Sequence, residues 1–191
     1  VDNTKFLNKN RLNPDVFTFL FVGRLVEDKN VETLIQEFSA NFSDKNAILK
    51  IVGDGEEKEY LSYKYTSEKI VFTGKKFNQD LIDLFHSSSC FVCPSNFEPW
   101  GLVVNEALSA GLPVITTNQV GAHFDLIKGR ETGFIAEDMQ VFGEMMLTLF
   151  NDTKLLDRYS KNANELMLNN WNYDLYNNCL NDAINKVEQW R

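Results

Sequence analysis

A doubly wound, Rossmann-like α/β fold is what this 191-residue sequence predicts: a parallel sheet of about six strands with helices on both faces. Three observations predict it. Short runs such as Val16–Val22, Ala47–Val52 and Cys90–Cys93 are apolar along nearly their whole length, the pattern of parallel strands covered on both sides. Each run stops at a glycine or proline, Gly23, Gly53 and Pro94. Helical periodicity then follows, as in the stripe Val31, Leu34, Ile35 and Phe38.

Taken in order, residues 1–15 read as a linker segment, polar over 7–15 and carrying the turn signal Asn13-Pro14. Residues 16–191 read as one domain, including C-terminal helices over 139–191. After the first strand, Arg24 and Lys29 flank a short loop before a helix that begins near Asn30. A basic pair between a strand's carboxyl end and a helix start lies where open parallel sheets bind ligands. Arg24 offers a planar fork and Lys29 a point charge.

The second strand ends in the tight turn Gly53-Asp54-Gly55. A dinucleotide fingerprint needs a third glycine, but position 58 is Lys58, and this is not the first strand. Residues 56–67 read as a helix of mixed charge. Ile70–Thr73 is the third strand, closed by Gly74 and followed by Lys75 and Lys76. Asn78 is expected to cap a helix whose apolar face carries Leu81, Ile82, Leu84 and Phe85. His86 near its end reads as a packed or exposed terminal residue. Cys90–Cys93 is the fourth strand, Pro113–Thr116 the fifth and Gly133–Ala136 a short sixth, with His123 expected in a loop before it. Helices follow: one striped with Phe142, Met145, Met146 and Leu149, a second over Leu155–Leu168, and a third over Trp171–Trp190. The methionine stripe reads as core.

Composition narrows the function. A formal charge of −8 argues against a nucleic-acid surface and against a polybasic membrane patch. No apolar run approaches the roughly 20 residues of a membrane span. Three cysteines, an odd and sparse set, fit a reducing compartment, so a cytoplasmic location is expected. Cys90 and Cys93 have a redox spacing, but in a strand positions three apart face opposite ways. No second ligand pair follows them to complete a zinc site.

The most informative stretch is Pro94–Pro113, in which strand, loop and helix succeed one another. Glu98-Pro99-Trp100-Gly101 is the loop, and the helix runs from there to Gly111-Leu112-Pro113. The helix start presents unpaired N–H groups and a partial positive charge, and Gly101 lets a ligand come close. That suits an anion, most naturally a phosphate. Glu98 and Glu106 would repel it unless they face neutral hydroxyls. In a continuous helix they would stand roughly 12 Å apart, too far to share a proton. A diphosphate flanked by a sugar on each side fits that span.

Glu98-Pro-Trp-Gly-Leu-Val-Val-Asn-Glu106-Ala resembles the Glu-x7-Glu motif of retaining, nucleotide-sugar-dependent glycosyltransferases of the GT-B fold, the group 1 family. The resemblance recurs at Val22-Gly23-Arg24-Leu25 with Lys29-Asn30, at Val52-Gly53-Asp54-Gly55, at Phe72-Thr73-Gly74 and at Ala110-Gly111-Leu112-Pro113. It covers nearly the whole chain. The family usually has Ala-Asp where this chain has Ser89-Cys90, and Glu where Asp125 stands.

The resemblance implies that this is the C-terminal, donor-binding half of a GT-B enzyme. Val1–Phe6 would then join it to an acceptor-binding half earlier in the chain. Arg24 and Lys29 would neutralise the diphosphate leaving group, and Glu98 would meet the transferred sugar; these three are the expected catalytic residues. Gly23, Lys76, Gly101, Leu102, Val103 and Glu106 would bind the donor, with Glu106 on the ribose and Lys76 bordering the base. The implied substrate is a nucleotide sugar, a UDP-sugar in preference to a GDP-sugar, with no cofactor and no metal. Such a piece is expected to bind donor and transfer nothing alone. Its full-length parent would work in the cytoplasm or at the inner face of the membrane, on polysaccharide or glycolipid. Two alternatives stay open: a nucleotide-sugar-binding module without transfer, or a GT-B enzyme of other chemistry such as a phosphorylase or epimerase. The last helix would pack toward the missing half, leaving an exposed apolar strip.

Overall fold

The computed structural model describes residues 3–8 and 14–188. The strands are β1 Phe17–Val22, β2 Ala47–Val52, β3 Ile70–Gly74, β4 Cys90–Cys93, β5 Val114–Thr117 and β6 Gly133–Ala136. Between them lie α1 Val31–Phe42, α2 Lys58–Lys64, α3 Asn78–His86, α4 Leu102–Ser109 and α5 His123–Leu126. Three helices close the described chain: α6 Met139–Asn151, α7 Thr153–Asn169 and α8 Tyr173–Glu188. Short 3₁₀ turns cover Asn3–Phe6 and Glu27–Lys29.

The strands form one six-stranded sheet in the order β3-β2-β1-β4-β5-β6, and every neighbouring pair is parallel. The chain winds outward from β1 to β3, then returns and winds the other way from β4 to β6, as the sequence predicts. The reversal falls between β1 and β4. Those two strands pair only at Phe19↔Cys90 and Leu20↔Phe91, whereas β1 and β2 stay in register to Val22↔Val52. A crevice therefore opens past the carboxyl ends of β1 and β4, the place where such sheets take ligands.

Burial follows position in the sheet. All residues of β4 and β5 are buried, while the edge strands β3 and β6 bury one residue each. Alternation along β1 sends Phe19 and Phe21 to one face and Leu20 to the other. On the first face Phe42 of α1 lies 5.0 Å from Phe19, stacks on Phe38 at 5.2 Å and meets Phe150 of α6 at 5.5 Å. The second face buries Leu20 and Phe91 beneath Phe85 of α3 and Val104, Ala107 and Leu108 of α4. The α7 helix serves both cores, with Leu156 and Tyr159 in one and Ala163, Leu166 and Met167 in the other. Asp138 and Asp152 cap α6 and α7 by accepting from Val141 N at 2.8 Å and Leu155 N at 2.9 Å.

The cysteine pair divides as strand geometry requires: Cys90 belongs to one core and Cys93 to the other. Burial pushes the Cys93 thiol up, away from the thiolate a redox centre needs. Ser89 Oγ accepts from Thr18 N at 3.0 Å and ties the start of β4 to β1. Phe142, Met146 and Leu149 are core, as the methionine stripe predicts.

Two local expectations are corrected. Asn78 is the first residue of α3 rather than its cap, and it takes a left-handed backbone, φ 50°. His123 starts the short α5 helix instead of lying in a loop. It is buried, with Nδ1 2.8 Å from the Val120 carbonyl.

Part of the segment read as a linker, residues 1–2 and 9–13, lies outside the described residues. The described part is docked: Phe6 meets Phe85 edge-on at 5.3 Å, and its carbonyl lies 2.9 Å from His86 Nε2. At the other end, α8 leaves Tyr176, Leu180, Ile184 and Val187 exposed, the apolar strip expected of it. No helix among the described residues is long and apolar enough to cross a membrane.

Candidate functional site

The crevice at the reversal of strand order holds a pocket of about 470 Å³, lined by Gly23, Arg24, Lys29, Glu98, Gly101, Leu102 and Val103 among others. Seven of the nine residues singled out in the sequence thus meet in one hollow, although they come from two stretches about seventy residues apart in the chain.

The backbone explains why they converge. Gly23 N donates to Val52 O at 3.0 Å and Gly53 N to Gly74 O at 3.0 Å, which fuses the ends of β1, β2 and β3 into one rim. A Cβ on Gly53, whose φ is 150°, would stand 1.8 Å from the Gly23 carbonyl, so only glycine permits this approach. Leu25 N then donates to Asp54 O at 2.9 Å and fixes the loop that carries Arg24. Arg24 is exposed and takes part in no ion pair among the described residues.

On the other wall, Gly101 adopts φ 91° and lets the chain turn into α4. Its added Cβ would press Val120 at 3.1 Å and Glu98 Cγ at 3.2 Å. Val104 N donates to Gly101 O at 2.8 Å and closes the first turn. The amides of Leu102 and Val103 precede that turn, where a helix has no intrahelical acceptor to offer. The partial positive charge of the helix end adds to the two cations around the pocket.

The structure brings Lys29 and Glu98 together in a way the sequence does not foretell. Lys29 Nζ lies 2.5 Å from Glu98 Oε2, with side-chain exposures of 18% and 23%. The cation expected on the diphosphate and the carboxylate expected on the sugar are each other's partner here.

Glu106 and Lys76 are outside the pocket lining. Glu106 lies one helical turn beyond Leu102 and Val103 on the same side of α4, at i+4 and i+3. It is half-buried, and burial pushes its carboxyl above the ordinary 4.5. Lys76 follows β3, the strand at the sheet edge, two strand spacings or roughly 10 Å from β1.

Sequence reasoning missed Trp100, which lines the pocket and donates from Nε1 to Asn105 Oδ1 at 2.9 Å. It also missed Asn30, whose backbone is left-handed at φ 53° and whose amide donates to Pro94 O at 3.3 Å. An asparagine just before a predicted helix was the available signal, since Asn tolerates that conformation. A second hollow of about 650 Å³, apolar and lined by Trp100, Leu102, Trp171 and residues of α8, adjoins the first.

Comparison with known proteins bears on the family and the fold. Residues 2–166 match the family described as "Glycosyl transferases group 1". The capsular polysaccharide biosynthesis glycosyltransferase CapM of Staphylococcus aureus is 33% identical over 179 residues, covering 88% of this chain and 46% of CapM. Among solved structures, the C-terminal domain of the group 1 family protein LpcC from Francisella tularensis superimposes with a TM-score of 0.78 at 19% identity. That match covers 91% of this chain and 99% of the domain. HepE from Anabaena, solved with UDP and glucose, gives 0.76 at 20% identity over 90% of this chain and 48% of its own. The chain spans less than half the length of the curated relatives it matches, and its fold is that of the C-terminal domain of GT-B proteins. With a family match that takes in most of its length, the chain belongs to the glycosyl transferases group 1 family.

Proposed function

We propose that this chain is the donor-binding half of a retaining glycosyltransferase, which moves a sugar from a nucleoside diphosphate to an acceptor hydroxyl. One observation carries the reading: two cations, a helix N-terminus and a carboxylate surround a single pocket at the reversal of the sheet. Family membership supports it. The role of CapM in capsular polysaccharide biosynthesis supports polysaccharide or glycolipid as the product, and the UDP and glucose found with HepE support a UDP-sugar as donor.

In the transfer, the bond from the sugar's anomeric carbon to the diphosphate oxygen breaks and a bond to the acceptor oxygen forms. The nucleoside diphosphate departs with added negative charge, and the proton of the acceptor hydroxyl passes to the departing diphosphate oxygen or to solvent. Arg24 and Lys29, with the amides at the start of α4, would stabilise that charge as it develops. Glu98 would accept hydrogen bonds from hydroxyls of the transferred sugar. Glu106, one turn further along α4, would take the ribose hydroxyls, and the Lys76 segment would border the base. The acceptor would come from a domain not contained in this chain, so binding without transfer is the expected behaviour here.

The test is calorimetric titration with UDP, GDP and a panel of UDP- and GDP-sugars, with thermal shift as a second readout. Saturable binding that weakens in Arg24→Ala supports the reading. No binding of any nucleoside diphosphate, or equal binding by that variant, sinks it.

A further inference from the structure

We propose that Glu98 is a built-in competitor of the diphosphate: both bind the same ammonium, that of Lys29, and the Lys29–Glu98 pair is exchanged as donor enters and re-formed as spent nucleotide leaves. The proposal rests on the donor-site reading above and adds the residue that opposes it.

The geometry that carries it lies in the backbone. Glu98 N donates to Gln119 O at 3.1 Å and Gly121 N to Glu98 O at 2.9 Å, so the residue is held as a parallel bridge to Val120. Lys29 is held as firmly, for its own amide donates to Val26 O at 2.9 Å and Asn96 N donates to Asp28 O at 2.8 Å. The two side chains meet from hydrogen-bonded backbones, so rotation about their own torsions is the simplest way to part them.

The charges make the exchange necessary. Glu98 Oε2 sits 2.5 Å from Lys29 Nζ, inside the pocket a diphosphate would fill. A diphosphate on Lys29 would meet the carboxylate at close range, and like charges there repel in a partly shielded site. Glu98 must therefore turn off Lys29. A full nucleotide sugar offers it hydroxyls in exchange, whereas a bare nucleoside diphosphate offers nothing. The pair thus penalises the spent product more than the intact donor and favours its release. Arg24, exposed and outside any ion pair among the described residues, can take the phosphate with no such exchange.

UDP and inorganic pyrophosphate are the probes, titrated into the wild-type chain, Glu98→Gln, Lys29→Ala and the double variant, with thermal unfolding to confirm folding. Glu98→Ala stands in if the glutamine variant does not fold. Removing the competitor should tighten UDP and pyrophosphate about twofold to fivefold, the worth of an ion pair that lies partly exposed. In the Lys29→Ala background the same substitution should have no effect. A Glu98→Gln chain that binds both probes no tighter than wild type, while Lys29→Ala weakens them, overturns the competition and leaves the donor site standing. If Lys29→Ala weakens neither probe, the donor-site role of Lys29 fails, and the competition fails with it.

Discussion

The backbone amide of Asn96 donates to the carbonyl of Asp28 at 2.8 Å. This bond joins the loop after β4 to the loop after β1 across the mouth of the crevice, and the Asn30 side chain adds a second tie at Pro94 O, 3.3 Å away. The walls of the pocket are thereby one unit, although no strand pairing holds them at that level.

Asn30 tests that unit. Its left-handed backbone at φ 53° costs most residues about 1–2 kcal/mol. Asn30→Ala should therefore destabilise the fold by about that much in urea, plus the lost side-chain bonds to Pro94 O and from Thr33 Oγ1. Asn30→Gly should recover the backbone part only. Equal losses in both variants would assign the effect to the two side-chain hydrogen bonds alone.

Arg24 and Lys29 should each matter for diphosphate. A hydrogen bond to a charged group is worth about 1.5–3 kcal/mol, or roughly ten- to hundredfold in affinity. Lys29→Ala removes the cation together with the pair that opposes the ligand, so its loss should be no larger than that of Arg24→Ala. Titration in the presence of a chelator should give the same affinities as without it.

Glu106 joins binding to stability. Burial raises its carboxyl above the ordinary 4.5, so the folded state holds the proton more tightly than the unfolded state. The stability this confers is fully present below the unfolded value and is lost as pH rises through the higher folded value. At neutral pH the ionised, half-buried group is a cost. Glu106→Gln should melt higher than wild type at pH 7 and lose that advantage near pH 4. It should also bind UDP and UDP-sugars more weakly by the same factor, since ribose is common to both. Unchanged UDP affinity would mark Glu106 as an ordinary helix residue.

Stability should be uneven along the chain. Phe42 touches rings from β1, α1 and α6, so Phe42→Ala should cost about 3–5 kcal/mol in denaturant unfolding. Leu180→Ser and Ile184→Ser on exposed α8 should each stay within about 0.5 kcal/mol.

The strands were legible because a sheet buried on both faces leaves apolar runs with no alternation, and glycine marks their ends. Predicted and observed bounds of β2, β4 and β6 coincide. Helix starts were harder: at Asn78 the side chain suggested a cap, but the backbone uses the residue for its left-handed conformation. The two basic residues and the Pro94–Pro113 stretch were each visible as local patterns. Their meeting in one site was implied by the family resemblance alone, because it depends on bonds between Gly23 and Val52 and between Asn96 and Asp28 that no spacing encodes. The Lys29–Glu98 pair escaped for the same reason.

Trp100 lines the crevice pocket and stands 5.6 Å from Trp171, ring to ring, at the border of the apolar hollow. The chain has three tryptophans, the third being Trp190. An indole in the wall of the pocket, next to a second indole, makes its emission sensitive to whatever enters beside it. Intrinsic fluorescence of the unlabelled chain can then follow ligand arrival in real time, and Trp171→Phe would separate the signal of the pocket from that of its neighbour.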